Sequence, residues 1–512
     1  MTVSAQNRCA LLFRFFIVFP FVFYNGGKKL RCYTIMYDVV IIGAGITGTV
    51  LARDLSAYHL KIAVVEKEND IADGATMANS AIVHTGYDPK PGTMKAKMNV
   101  LGARLYPKLC EDLSLHVKTV GAFIAACGEE EEKHLDILAQ RADEREIPYR
   151  FLSGDEARKE EENLSDAVTK VLDFYTTTVI YPWEAANACM EVAMKNGADL
   201  YLNSEVTGIE KNEYGYIIHT VKDDLITRTV VNAAGVCADR IAAMIMGDPG
   251  FEIQARRGEY YVLDQDAQPV KHIIFPVPSP VKGKGVLAVP TVYGNTLIGP
   301  NSDFIDDPLD NGTSFDGLAY VRRNISKTLK NIPLNRSIRT FAGVRPTCSK
   351  HDFIIEEAEG FPGFINAAGI ESPGLASAPG ISRYIIDELL SKCLVLKEDP
   401  EAVLTREAPV VLSELSTEER NEMIRKNPAY GKIVCRCEQI SEGEIIDCIH
   451  RVCGARSVKG VKKRVRPGMG RCQGGFCEPL VVNILARELG ISPLEVVLDS
   501  EASRILESEN RK

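Results

Sequence analysis

An α/β chain with a small helical domain at its C-terminal end is what the sequence predicts, on three observations. The β-branched run Tyr37-Asp38-Val39-Val40-Ile41-Ile42 passes straight into a glycine-rich turn and a helical stretch, the order of a buried parallel strand and its crossover. Farther on, Glu252–Val262 and Val286–Ile298, the latter with a Tyr293-Gly294-Asn295 turn signal, look like antiparallel strands of a second sheet. Near the end, four cysteines stand in two close pairs, Cys435/Cys437 and Cys472/Cys477. A chain of 512 residues, 45% hydrophobic and 25% charged, has room for two to three domains with ample core.

The first element is a dinucleotide site. After the strand come Gly43-Ala44-Gly45-Ile46-Thr47-Gly48, a helix from Thr49 to Ala57, and a second strand, Leu60 to Val65, that ends on Glu66. Gly43, Gly45 and Gly48 allow a tight turn and close pyrophosphate approach, the helix N-terminus favours phosphate charge, and Glu66 suits a ribose hydroxyl. The small polar stretch from Gly74 to Tyr87, including Thr76, Asn79 and Ser80, is suited to wrapping a cofactor longer than an adenosine. A later strand, Val230-Val231-Asn232, closes on Ala233-Ala234-Gly235 as though returning to the phosphate groove.

These segments resemble the D-amino-acid-oxidase-like flavoprotein superfamily, which implies FAD. Asn79-Ser80, His84-Thr85-Gly86-Tyr87, Pro89-Lys90-Pro91-Gly92 and Arg257-Gly258-Glu259-Tyr260-Tyr261 resemble L-2-hydroxyglutarate oxidases. The overall organisation resembles FAD-dependent glycerol-3-phosphate dehydrogenases of the anaerobic type. The expected architecture is a Rossmann-type FAD-binding domain interleaved with an antiparallel-sheet substrate domain. Residues 37 to about 120, 195 to 240 and 340 to 392 are expected in the cofactor sheet, with the stretches between them in the other. The expected boundaries are an N-terminal extension at 1–36, the FAD-dependent domain at 37–392, a linker at 393–430 that contains a helix capped by Ser416-Thr417-Glu418-Glu419, and a cluster domain at 431–500.

The paired cysteines form a thiolate set for a soft metal centre, and glycines at 470, 474 and 475 let backbone amides approach the sulfurs. C-x-C with C-x4-C is neither two zinc knuckles nor the plant-type ferredoxin order. It resembles the small helical 2Fe-2S domain related to bacterioferritin-associated ferredoxin (BFD-like), which implies Cys435, Cys437, Cys472 and Cys477 as ligands; structural zinc is the alternative. Between Arg451 and Arg471 stand eight Lys or Arg and no acid. Such charge favours a reduced anionic cluster or docks an acidic redox partner, and a solvated face is the plain alternative. A net charge of −9 and a basic run without aromatics exclude nucleic acid as a partner. The other ten of the 14 cysteines have no framework spacing, which implies a reducing compartment.

Oxidising an alcohol with a flavin needs a base for the hydroxyl proton and a cation for an anionic substrate. The hydroxyglutarate-oxidase resemblance puts His84 under the flavin as that base, a cofactor hydrogen bond being its other reading. Arg345, in Phe341-Ala342-Gly343-Val344-Arg345-Pro346, matches the superfamily's anion clamp, and Arg257 is a second cation with either a catalytic or a structural role. Lys282 and Lys284 are loop lysines that either contact phosphate or stay solvated. Gly369 and Gly374, in Ala367–Leu375, lead into a helix from about Ala376 whose N-terminus would face the flavin; the glycerol-phosphate enzymes' Gly-Lys-Thr-type segment is missing here.

The expected function is oxidation of glycerol 3-phosphate, with export of electrons through the cluster to a redox partner, an NAD-linked flavoprotein or a quinone-reducing subunit. L-2-Hydroxyglutarate is the alternative substrate, and an electron-transfer subunit without its own substrate is the third reading. The apolar stretch Ala10–Tyr24 holds Arg14 and Pro20 and is too short to span a bilayer. It reads as a dispensable extension before Met36 or as a targeting segment, so a cytoplasmic location is expected, with peripheral membrane association or organellar targeting left open.

Overall fold

The computed structural model describes residues 36–278 and 285–508, with the backbone of 19–25 and 28–34. Lys282, Lys284 and Cys9 lie outside the described residues, as do the side chains of the upstream extension, where Phe19–Asn25 pairs antiparallel with Lys28–Thr34.

Met36–Ile42 lies inside a parallel sheet. Ile62–Val65 and then Asp199–Tyr201 lie on one side of it, Asp224–Asn232 and then Phe364–Ala368 on the other. Both faces are covered, which is why the strand reads as a continuous apolar run. Val39 and Ile41 pack under helices Ile46–Leu55, Met94–Leu113, Pro182–Lys195 and Gly374–Tyr384, while Val40 and Ile42 pack under the hairpin of Val206–Asn212 and Gly215–Thr220. The helices Met94–Leu113 and Gly374–Tyr384 cross backbone to backbone: a Cβ at Gly380 would sit 2.5 Å from the Met98 carbonyl oxygen, and one at Gly102 would overlap the Ala376 carbonyl. That crossing fixes where Gly374–Tyr384 begins, at the mouth of the cofactor groove.

The second sheet is mostly antiparallel. Its order runs Asp303–Phe304, Ile253–Leu263, Thr296–Gly299, Leu287–Pro290, Ile273–Pro276, Ala122–Ala126, Lys170–Asp173, Arg150–Ser153, and Ser337–Cys348 pairs with Ile253–Leu263. The expected hairpin turns where Thr291 N–H donates to the Asn295 carbonyl, with Gly294 at φ +87. One placement needs correction: residues 340–348 belong to this sheet, not to the cofactor sheet. The position beside Asp224–Asn232 is filled by Phe364–Ala368, itself capped by Ile354–Glu357.

Helices Glu442–His450, Val458–Val465 and Glu478–Leu489 close a separate core around Ile445, Ile449, Val461 and Leu485. The stretch expected as a linker is a packed strap: Arg406 donates to the Leu113 carbonyl and to Glu184, and Ser416 and Glu419 cap helix Thr417–Lys426 reciprocally. The basic run is not a free docking face. Arg464 pairs with Asp70 at 2.7 Å, Lys463 with Asp73 at 2.9 Å, Arg451 with Glu191 at 2.9 Å and Arg471 with Asp264 at 2.5 Å. Acids of the larger domain thus meet Arg451, Lys459, Lys463, Arg464 and Arg471, while Arg466 pairs with Glu438 inside the cluster domain.

Candidate active site and cluster site

A cavity of about 710 Å³ runs from the glycine-rich turn to the second sheet. At one end Gly43 adopts φ +106, and a Cβ there would lie 2.5 Å from the Ala233 carbonyl oxygen, so only glycine permits the turn. Gly48 lies off the cavity, packed on the Gly43 carbonyl. Gly45 faces the groove, with Thr76 Oγ1 3.3 Å from where its Cβ would be. Thr76 Oγ1 accepts from Ile46 N–H at 2.9 Å, and Glu66 accepts from the amides of Ala44 (2.9 Å) and Glu68 (3.0 Å). Burial pushes the Glu66 carboxyl up from its usual range, against those two amides.

Ala234 and Gly235 line the same end, and Gly374 lines the other; Gly369 does not line it but, at φ +67, packs on Cys348. Asn79 shapes the wrapping loop, donating to the carbonyls of Ala75 and Thr76 and accepting from Ala81 N–H. Ser80 bonds the hydroxyl of Tyr260 at 3.0 Å, and the Tyr260 ring stacks on Phe341 at 4.7 Å.

His84 is buried in the cavity wall, 8% exposed, its carbonyl held by the Asn99 amide at 2.9 Å. Arg345 also lines the cavity. It donates to the Asn301 carbonyl at 2.9 Å and lies flat across Gly258, where a Cβ would strike its guanidinium. Arg257, expected at the site, is not there. It points from the opposite face and pairs with Asp310 at 2.6 Å, because successive residues of a strand face opposite ways. Its neighbour Arg256 lines the cavity instead, as the cross-strand partner of Arg345. Burial, and then the Arg345 guanidinium, pull Arg256 below its ordinary value. The buried Arg256 Nε makes no hydrogen bond among the described residues, so two guanidiniums meet at one wall with donor capacity to spare. The parity of Gly258 and Tyr260 with Arg256 was the signal that singles out this residue.

The four paired cysteines come together across their motifs. Cys437 Sγ and Cys472 Sγ are 3.6 Å apart, and Cys435 and Cys477 are hydrogen-bonded to each other. Two sulfurs bound at ~2.3 Å to one tetrahedral metal are ~3.7 Å apart, a separation that Cys437 and Cys472 match. The thiol of Cys477 holds Cys435 down to about 6, with backbone amides of Gly468 and Glu438 also aimed at its sulfur. Amides of Phe476 and Gly474 point likewise at Cys472. All twelve described cysteines are free of disulfides.

Between cavity and cluster lies an aromatic layer. Trp183 donates to the Met77 carbonyl at 3.1 Å, its ring is 5.2 Å from Tyr181, and Tyr181 is 5.1 Å from Tyr293. The Arg466 guanidinium lies 3.8 Å over Tyr293 and donates to Glu438, the neighbour of Cys437, at 2.9 and 3.0 Å.

Residues 38–388 match the FAD dependent oxidoreductase family, well over half of the chain. This chain belongs to that family. Residues 433–487 match the BFD-like [2Fe-2S] binding domain, so the cofactors of this FAD-dependent oxidoreductase are FAD and a 2Fe-2S cluster. A glycerol 3-phosphate dehydrogenase of Caloramator mitchellensis is 46% identical over 92% of this chain and 98% of its own. A glycerol 3-phosphate oxidase of Mycoplasma pneumoniae is 32% identical over 68% of this chain and 93% of its own. A solved structure of the L-alpha-glycerophosphate oxidase from that organism, dithionite-reduced and with FAD bound, superposes with a TM-score of 0.70, at 30% identity over 73% of this chain and all of that one.

The two cofactor sites should separate by substitution. Gly45→Val puts a branched side chain against Thr76 in the groove and should yield iron-containing protein without yellow flavin. Cys472→Ser should yield protein that keeps FAD at about one per chain and loses its roughly two irons. Iron assay and flavin absorbance check both, and stoichiometric zinc in place of iron would contradict the cluster.

Proposed function

We propose that this oxidoreductase converts glycerol 3-phosphate to dihydroxyacetone phosphate and hands the electrons to a partner protein. The observation that carries this reading is the Arg256–Arg345 pair: two guanidiniums at one point of the cavity wall suit a phosphate dianion, which offers three oxygens to forked donors. The relative named a glycerol 3-phosphate dehydrogenase, aligned over nearly the whole chain, supports it.

In this reading Arg345 and Arg256 hold the phosphate and orient the secondary alcohol. His84 takes the proton from the C2 hydroxyl. FAD, held along Gly45, Glu66 and Thr76, would supply a two-electron acceptor for the hydride of C2, and a 2Fe-2S cluster held by Cys435, Cys437, Cys472 and Cys477 would supply one-electron transfer. Tyr260 and Phe341 close the wall against water. The electrons leave where the cluster loop meets solvent, at exposed Cys437 and at Phe476, which is 81% exposed beside Cys477. A redox protein docking at that edge, either an NAD-linked flavoprotein or a quinone-reducing subunit, is the acceptor. No helix among the described residues is long and apolar enough to cross a membrane. The scattered cysteines suit a reducing compartment, and on that ground we assign the enzyme to the cytoplasm.

Anaerobic mixing tests the proposal. Glycerol 3-phosphate should bleach the flavin and then reduce the cluster. Bleaching by L-2-hydroxyglutarate alone would favour the dicarboxylate reading suggested by the His84 and Arg-Gly-Glu-Tyr segments, and silence with both would favour an electron-transfer subunit.

A further inference from the structure

We infer that Lys463 and Arg464 of the cluster domain are positioning residues for the FAD site, so that the cluster domain and FAD stabilise one another. Lys463 is 1% exposed, yet it belongs to a helix of the other domain. Its ammonium donates to the Ile71 carbonyl (2.8 Å) and Asp73 (2.9 Å) and pairs with Asp70 (3.1 Å), which uses all three of its protons. Arg464 grips Asp70 with both ends of its fork, at 2.7 and 2.9 Å, and donates Nε–H to the Cys453 carbonyl. Lys459 adds contacts to Asp73 and Asp499. Three cations thus meet three acids, and the side chains of the inner four, Lys463, Arg464, Asp70 and Asp73, are buried, so that removing one of them leaves a buried charge under-compensated.

What the set holds is the start of the cofactor-wrapping loop. Ile71 is buried in the core of the FAD domain, and Ala72 N–H donates to the carbonyl of Ala44 inside the glycine-rich turn. Asp73 and Gly74 line the cavity, and Gly74 is bonded by Met77, which Trp183 fixes from the other side. Asp73 would by itself repel a pyrophosphate entering that cavity. Lys463 and Lys459 neutralise it, and they come from the cluster domain. A coupling of this kind acts equally in both directions: whatever FAD gains from an ordered cluster-domain helix, that helix gains from FAD.

The test is FAD titration of deflavinated, cluster-containing full-length protein, read by flavin fluorescence. Lys463→Met keeps the chain length and removes the charge, and should weaken FAD binding by about 10- to 100-fold. The double variant Lys463→Met/Asp73→Asn removes both charges of the Lys463–Asp73 pair, leaves Asp70 to Arg464, and should recover to within about threefold of the natural protein. Arg451→Ala, whose partner Glu191 lies on a different helix, should leave FAD affinity unchanged. Affinity within twofold in Lys463→Met, or an equal loss in Arg451→Ala, would overturn the inference. Should Lys463→Met fail to fold, hydrogen exchange on the natural protein decides. FAD should slow exchange of the Val458–Val465 amides at least tenfold, and unchanged exchange there would overturn the inference.

Discussion

Arg345→Ala should lower kcat/KM for glycerol 3-phosphate by about 10²- to 10³-fold, mostly through KM, because it removes a forked donor from a buried anion while Arg256 remains. Arg256→Ala should cost a similar factor, and the double variant should cost less than the product of the two, since both donors serve one anion. Arg257→Ala serves as the contrast. Its guanidinium pairs with Asp310 and Glu259 on the face away from the cavity, so its loss should change KM little. Steady-state assays with an artificial acceptor check the series. A loss in Arg257→Ala that exceeds the loss in Arg256→Ala would reverse the assignment of faces.

His84→Ala should slow flavin reduction by about 10²- to 10⁴-fold at saturating glycerol 3-phosphate, with substrate affinity nearly kept, which is the signature of a positioned base and not of an anion clamp. Stopped-flow reduction under anaerobic conditions reads both effects. A reduction rate within a few fold of the natural one, with KM raised instead, would make His84 a binding residue.

The features legible in the sequence are those whose physics is local. A parallel strand covered on both faces must be apolar throughout, and Val39 to Ile42 are. A turn at φ +106 beside a carbonyl must be glycine, and Gly43 is. Spacing alone marked Cys435, Cys437, Cys472 and Cys477 as a set. What it left open was which sulfur meets which, because the close pair Cys437/Cys472 joins two segments that only the fold brings together.

The choice between Arg256 and Arg257 shows where sequence ran out. Adjacent residues of a strand have identical composition around them, and which one faces the cavity depends on how Ile253–Leu263 is turned in its sheet. The basic run shows the same limit over a longer range. Its charge was visible, but its partners Asp70 and Asp73 stand at the far end of the chain, and charge carries no address. The sequence by itself determined the dinucleotide turn and the cysteine set, which follow from what neighbouring residues permit, and its resemblances implied FAD, the 2Fe-2S cluster and the two domain types. The tertiary structure decided which arginine faces the cavity beside Arg345, which sulfurs meet and how the cations are used inward, since each depends on side-chain direction and on contacts between distant segments.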